Sequence, residues 1–156
     1  LYILIRFKKW QFSLGAVVAV FHDVLIVLSV FSIFYGILPF SLEIDQAFIA
    51  AILTIIGYSL NDTVVVFDRV REHMTNFKKK EVHELINGAL NSTLSRTINT
   101  SLTTFFVLLI IFIFGGEVIK GFMFALMVGV VVGTYSSLFV ASPIMMGTIK
   151  RKEIKN

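Results

Sequence analysis

Two adjacent polar residues, Asn61 and Asp62, sit inside GYSLNDTVVVFDRVRE (Gly57 to Glu72), a stretch otherwise apolar enough to enter a bilayer. A carboxylate at membrane depth costs about 2.5–3.5 kcal/mol on insertion scales, so it ordinarily faces a partner or a water-filled path. The chemistry open to Asp62 there is reversible binding of a proton or a small cation. A second carboxylate, Asp23, follows His22 near the middle of an earlier apolar run. A third polar group begins at Arg96 and continues through Thr97, Asn99, Thr100, Ser101, Thr103 and Thr104.

Helices long enough to cross a membrane must position these residues. The 156 residues are 56% hydrophobic, with 16 Phe and two Pro, which is far too apolar for a soluble domain. Four runs reach the roughly 20 residues a span requires: about 12–38 up to Pro39, 46–67, 94–114 before Gly115-Gly116, and 118–149 with a kink expected at Pro143. Thirteen of the fourteen Lys and Arg residues fall at the same ends of these runs, and Lys120 alone falls at the other. That asymmetry places both termini and the loop from Asp68 to Thr93 in the cytoplasm. A short amphipathic helix is expected within that loop, over about 79–92, with Val82, Leu85, Ile86, Ala89 and Leu90 on one face. The basic clusters follow topology, so the net charge of +4 does not argue for nucleic acid.

Counting from the span ends puts Asp62 roughly 8 Å inside the cytoplasmic boundary, at a rise of about 1.5 Å per residue. Arg96 enters the next, antiparallel span at a similar depth, and consecutive elements are usually neighbours. Burial disfavours the charged form of a carboxyl, whereas a nearby guanidinium favours it. An Asp62–Arg96 pair could therefore tie proton passage to a helix movement; the bland alternative is a static ion pair. Asn61, Thr63, Asn99 and Thr100 are supporting polar candidates, although some hydroxyls will bond back to their own helix. Asp23 is a secondary candidate, with a hydrogen-bonded structural role the expected one.

The remaining polar features carry less. Cysteine is absent, His73 and His83 both lie in the loop, and no metal-ligand cluster assembles, so neither metal nor cofactor is expected. No nucleophile–base motif points to an enzyme. Gly129 and Gly133 form G-x-x-x-G after Gly121 and Ala125, a small-residue face suited to close helix packing within the bundle.

Several long motifs together carry a family resemblance. GYSLNDTVVVFDRVRE, GAVVAVFHDVLIVL (Gly15–Leu28), LSRTINTSLTT (Leu94–Thr104) and VGTYSSLFVASPI (Val132–Ile144) occur in the order found in SecF, the smaller half of the bacterial SecDF export factor. The chain resembles that family over almost its whole length. The resemblance implies an all-α membrane protein of the resistance-nodulation-division superfamily, built on a six-helix bundle. Residues 1–11 would be the tail of the second span and a cytoplasmic turn, residues 12–149 the third to sixth spans, and residues 150–156 a basic cytoplasmic tail. The first span and the extracytoplasmic domain would precede this stretch. The family's key aspartate falls on Asp62 and its key arginine on Arg96. What this implies is a multi-pass protein of the bacterial inner membrane, not an enzyme. It would use the proton motive force to assist polypeptide export, with SecD, the SecYEG channel, the secreted polypeptide and membrane lipids as partners. Two rivals remain: a small-molecule or lipid exporter of the same superfamily, and a structural subunit that does not titrate.

Overall fold

The structure, a computed structural model, describes residues 2–7, 9–77 and 81–149. Among these residues every regular element is a helix: α1 (Tyr2–Phe7), α2 (Trp10–Phe34), α3 (Gln46–Asn76), α4 (Val82–Phe114), α5 (Glu117–Ser136), a π-helical turn over Ser137–Ala141, and α6 (Ser142–Thr148). Four helical stretches are long and apolar enough to cross a membrane: Trp10–Phe34, Gln46–Asn76, Val82–Phe114 and Glu117–Thr148. The basic residues 150–156 lie outside the described residues.

Helix ends differ from the expected ones for identifiable reasons. α2 stops at Phe34 rather than running on to Pro39, because Gly36 adopts a left-handed backbone (φ 71°) just past the cap. Glycine reaches that conformation without the Cβ clash other residues meet, and it ends helices there. α3 begins where Asp45 accepts a 2.8 Å hydrogen bond from the Phe48 N–H, satisfying one of the first-turn amides that have no partner within the helix. It then continues nine residues beyond Phe67 to Asn76. The separate connector helix expected over 79–92 does not appear: from Val82 onward these residues are the opening turns of α4. Residues 78–80 lie outside the described residues. Leu85, Ile86 and Ala89 are buried in the bundle, so their apolar face meets protein and the helix has no reason to break.

The bend in the last span starts upstream of Pro143. Proline has no N–H, and its ring clashes with the carbonyl four residues earlier. The chain relieves this by widening one turn over Ser137–Ala141, where the Ser142 hydroxyl also donates to the Ser137 carbonyl at 3.0 Å.

α5 packs against α2, α3 and α4, while α4 lies mainly against α3 and α5. Two apolar clusters hold the bundle. One, at the end bearing Arg6, Asp68 and Arg71, joins Phe7, Phe12, Phe67, Met74, Leu85 and Met145. The other, at the end bearing Glu43, Asp45 and Glu117, joins Val27, Phe31, Phe48, Ile55 and Leu126. Between them lies a polar layer.

Candidate functional site

Each of the four long helical stretches crosses from one apolar cluster to the other and carries polar side chains at the crossing. On α2 this is Asp23, between Ala19 and Val27. On α3 the face Ile55, Ser59, Asp62, Thr63, Val66 is buried, at the three- and four-residue steps of a helix. On α4 the buried stripe is Thr93, Thr97 and Ser101. At the junction of α5 and the π turn it is Ser136 and Ser137.

Asp23 is 1% exposed and fully engaged. Its Oδ2 accepts from Ser59 Oγ at 2.6 Å and from Ser136 Oγ at 2.8 Å, and its Oδ1 lies 3.1 Å from His22 Nδ1. One carboxylate thus ties α2 to α3 and α5. Hydrogen bonds to an ionised acceptor are about twice as strong as neutral ones. The sequence gives adjacent residues on a helix different directions, yet His22 and Asp23 meet, because the imidazole folds back toward its neighbour.

Asp62 differs. It is 8% exposed, and its Oδ2 is buried without a hydrogen-bond partner. The hydroxyls of Ser137 and Thr97 and the Arg96 guanidinium are the polar groups around it. Thr63 and Ser137 join their hydroxyls at 2.9 Å, and Ser137 also donates to the Gly133 carbonyl at 2.8 Å. Asp62 and Arg96 form no ion pair within 4 Å among the described residues. Consecutive helical residues point about 100° apart. With Thr97 fully buried beside Asp62, Arg96 is turned to the exposed edge, where it lines a cleft between α3 and α4.

The supporting candidates divide. Thr63 belongs to the buried layer, whereas Asn61, Asn99 and Thr100 are exposed on this chain. Thr100 donates to the carbonyls of Arg96 and Thr97, Thr103 to those of Asn99 and Thr100, and Thr104 to that of Thr100. These hydroxyls are used by their own helix. Ser59, Ser136 and Ser137 were not among the expected site residues. Ser59 could have been found from its spacing, three residues before Asp62 and four before Thr63.

The Gly129–Gly133 face explains how α3 and α5 come close enough to share this layer. Cβ atoms at these positions would meet Ile55 and Ser59 of α3 respectively, the latter at 3.2 Å from the Ser59 Cβ. Among the described residues, no group of three or more His, Asp or Glu side chains could hold a metal ion.

The family profile described as "Protein export membrane protein SecD/SecF, C-terminal" matches residues 1–151. The chain belongs to this SecD/SecF family. Its relatives include the protein translocase subunit SecF of Rhodothermus marinus, 68% identical over 145 residues that make up 93% of this chain and 47% of the relative. The subunit of the same name from Cereibacter sphaeroides is 48% identical over 93% of this chain and 43% of its own length. The chain therefore spans about half the length of the SecF relatives it matches. Two solved SecDF structures share the fold. One, in a super-membrane-facing form, has a TM-score of 0.85 at 42% identity, covering 99% of this chain and 20% of the other. The second, from Thermus and described as a translocon-associated membrane protein, has a TM-score of 0.82 at 43% identity, covering 94% and 19%. These SecD/SecF likenesses extend through all four candidate spans.

Proposed function

We propose that this chain is the membrane portion of a SecF subunit in which Asp62 couples proton movement to polypeptide export through the Sec channel. The observation that carries this reading is the buried Asp62 Oδ2 without a partner. A buried polar atom normally has a hydrogen bond, and Asp23 in the same layer has three. A carboxyl used only to join helices would be expected to look like Asp23. One that must gain and lose a proton needs a free lone pair and hydroxyls close by, as Asp62 has.

Topology and surface chemistry support the rest. The distribution of basic residues favours cytoplasmic termini in the bacterial inner membrane. Asn61, Arg96 and Asn99 are exposed on α3 and α4, and such groups do not face hydrocarbon at membrane depth without a partner or water. A SecD half seated there would cover these groups, while the first two spans of the six-helix arrangement would come from the SecF half itself. The Sec channel and the secreted polypeptide would be engaged by the complete assembly.

The test is preprotein export by the full-length parent with its SecD half, carrying Asp62→Asn, in vesicles with membrane potential and pH gradient controlled. Asparagine keeps the shape and removes the titrating proton. The gradient-stimulated component of export is expected to disappear while the component driven by ATP persists. Unchanged gradient dependence in a normally assembled variant would make Asp62 a structural group.

A further inference from the structure

If Asp62 exchanges protons, a route must join it to water. The best candidate is the cleft of about 300 Å³ between α3 and α4, on the side of the layer nearer Arg6 and Asp68. A space of that size holds several waters, given roughly 30 Å³ for each in the liquid. Its walls carry Asp68, Arg69 and Glu72 from α3 and Ser92, Thr93 and Arg96 from α4. The two carboxylates and two guanidinium groups balance, so the cleft imposes no large net charge on a cation entering it. Asp68 is paired with Arg6 at 2.9 Å and Arg71 at 3.3 Å. Arg69 pairs with Glu72 at 2.7 Å and donates from Nε to Ser92 Oγ at 2.8 Å, bridging the two walls.

The floor of the cleft leads inward. Thr93 lines it and is 5% exposed, and its Oγ1 lies 3.5 Å from that of Thr97, one helical turn deeper and fully buried. Thr97 in turn stands beside Asp62. Thr100, Thr103 and Thr104 give their hydroxyl protons to backbone carbonyls of α4. Thr93 and Thr97 face each other instead. A pair of hydroxyls, one donating to the other, therefore lies between the cleft and Asp62, whose Oδ2 is the unpartnered oxygen of the layer among the described residues.

From this geometry we infer that the α3–α4 cleft is the aqueous mouth of the path to Asp62, with Thr93 and Thr97 as its proton relay. The inference rests on the coupling role given above to Asp62. A protonated Asp62 releases its proton to a lone pair of Thr97 Oγ1, which releases its own proton to Thr93 Oγ1. Thr93 releases its own to water in the cleft. Each hydroxyl ends neutral with one proton exchanged, the carboxylic acid becomes a carboxylate, and rotation of the two hydroxyls resets the chain. The Arg69–Ser92 bridge sets the width of the mouth. Thr97 is a relay residue here, and Arg69 a positioning residue.

The experiment uses the full-length parent with its SecD half in proteoliposomes, reading proton uptake under an imposed gradient. This stretch contains no cysteine, so Thr93→Cys places a single thiol at the floor of the cleft once any cysteines elsewhere are replaced. A membrane-impermeant cationic methanethiosulfonate is expected to modify that thiol from the cytoplasmic face and not from the opposite one. Thr97→Val, which keeps the shape and deletes the hydroxyl, is expected to slow uptake by about a hundredfold. Thr97→Ser is expected to restore most of it. A thiol inert from the cytoplasmic face overturns the mouth. Uptake by Thr97→Val at the parental rate overturns the relay, and if Asp62→Asn abolishes uptake in the same preparation, the coupling role of Asp62 survives. Undiminished uptake by Asp62→Asn overturns both.

Discussion

Gly129→Leu is expected to prevent α3 and α5 from closing on each other, and Gly129→Ala to destabilise the bundle by about 1–3 kcal/mol, the usual range for overpacking. The reason is local. A Cβ at Gly129 would fall within the Ile55 side chain, against Cγ1, Cδ1 and Cγ2 together. Rotating the terminal methyl away would not clear the other two. Ile55 is itself 2% exposed and part of the apolar cluster at the acidic end, so it has little room to move. The check is a double-mutant cycle on unfolding in mild detergent. Ile55→Ala alone should cost about 2–5 kcal/mol by leaving a cavity. Combined with Gly129→Ala it should cost less than the sum, because the new methyl enters the vacated space. Strict additivity would show that the helices do not meet at this point.

Asp23→Leu is the second large effect, about 3–5 kcal/mol of lost stability, the range for breaking a buried charged arrangement by removing one partner. Three donors converge on this carboxylate from α2, α3 and α5. Leucine would leave the buried Ser59 hydroxyl without its acceptor and leave Ser136 only the longer bond to the Gly133 carbonyl at 3.2 Å, and a buried orphan is costly. Asp23→Asn should be much milder. Its amide oxygen can accept from both serines, and its NH₂ can donate to His22 Nδ1 in the tautomer with the proton on Nε2. Only the charge assistance is lost, about 1 kcal/mol. Thermal unfolding of the two variants, read beside gradient-driven export, separates structure from titration. Near-normal export by Asp23→Asn is the expected result, and lost export at near-normal stability would make Asp23 a second titrating group.

Much of this architecture was legible in the chain because membrane helices are written in composition. The apolar runs and the acidic and basic ends mark four spans, and the cost of a carboxylate in hydrocarbon singled out Asp62 and Asp23 without any contact being known. What escaped was decided by side-chain direction and backbone detail. Depth counting places Asp62 and Arg96 at one level, yet it says nothing of azimuth, and it is azimuth that turns Thr97 inward and Arg96 to the edge. The amphipathic residues 82–92 read equally well as an interfacial helix or as the start of a span, since both need one apolar face. Their burial against α3 and the end of the last span could not be read from one segment. The π turn was foreshadowed by Pro143 as a kink. Its consequence was not: Ser136 goes to Asp23 while Ser137 goes to Thr63, so consecutive hydroxyls bond to different helices, α2 and α3.

In the proposed coupling cycle Asp62 changes its protonation state. Infrared difference spectroscopy on the full-length parent with its SecD half, in lipid and with the pH gradient switched on and off, reads this directly. The expected result is a protonated-carboxyl C=O band that rises and falls with the gradient, shifts on aspartate isotope labelling, and is absent in Asp62→Asn. A gradient-dependent spectrum identical in parent and Asp62→Asn would contradict it.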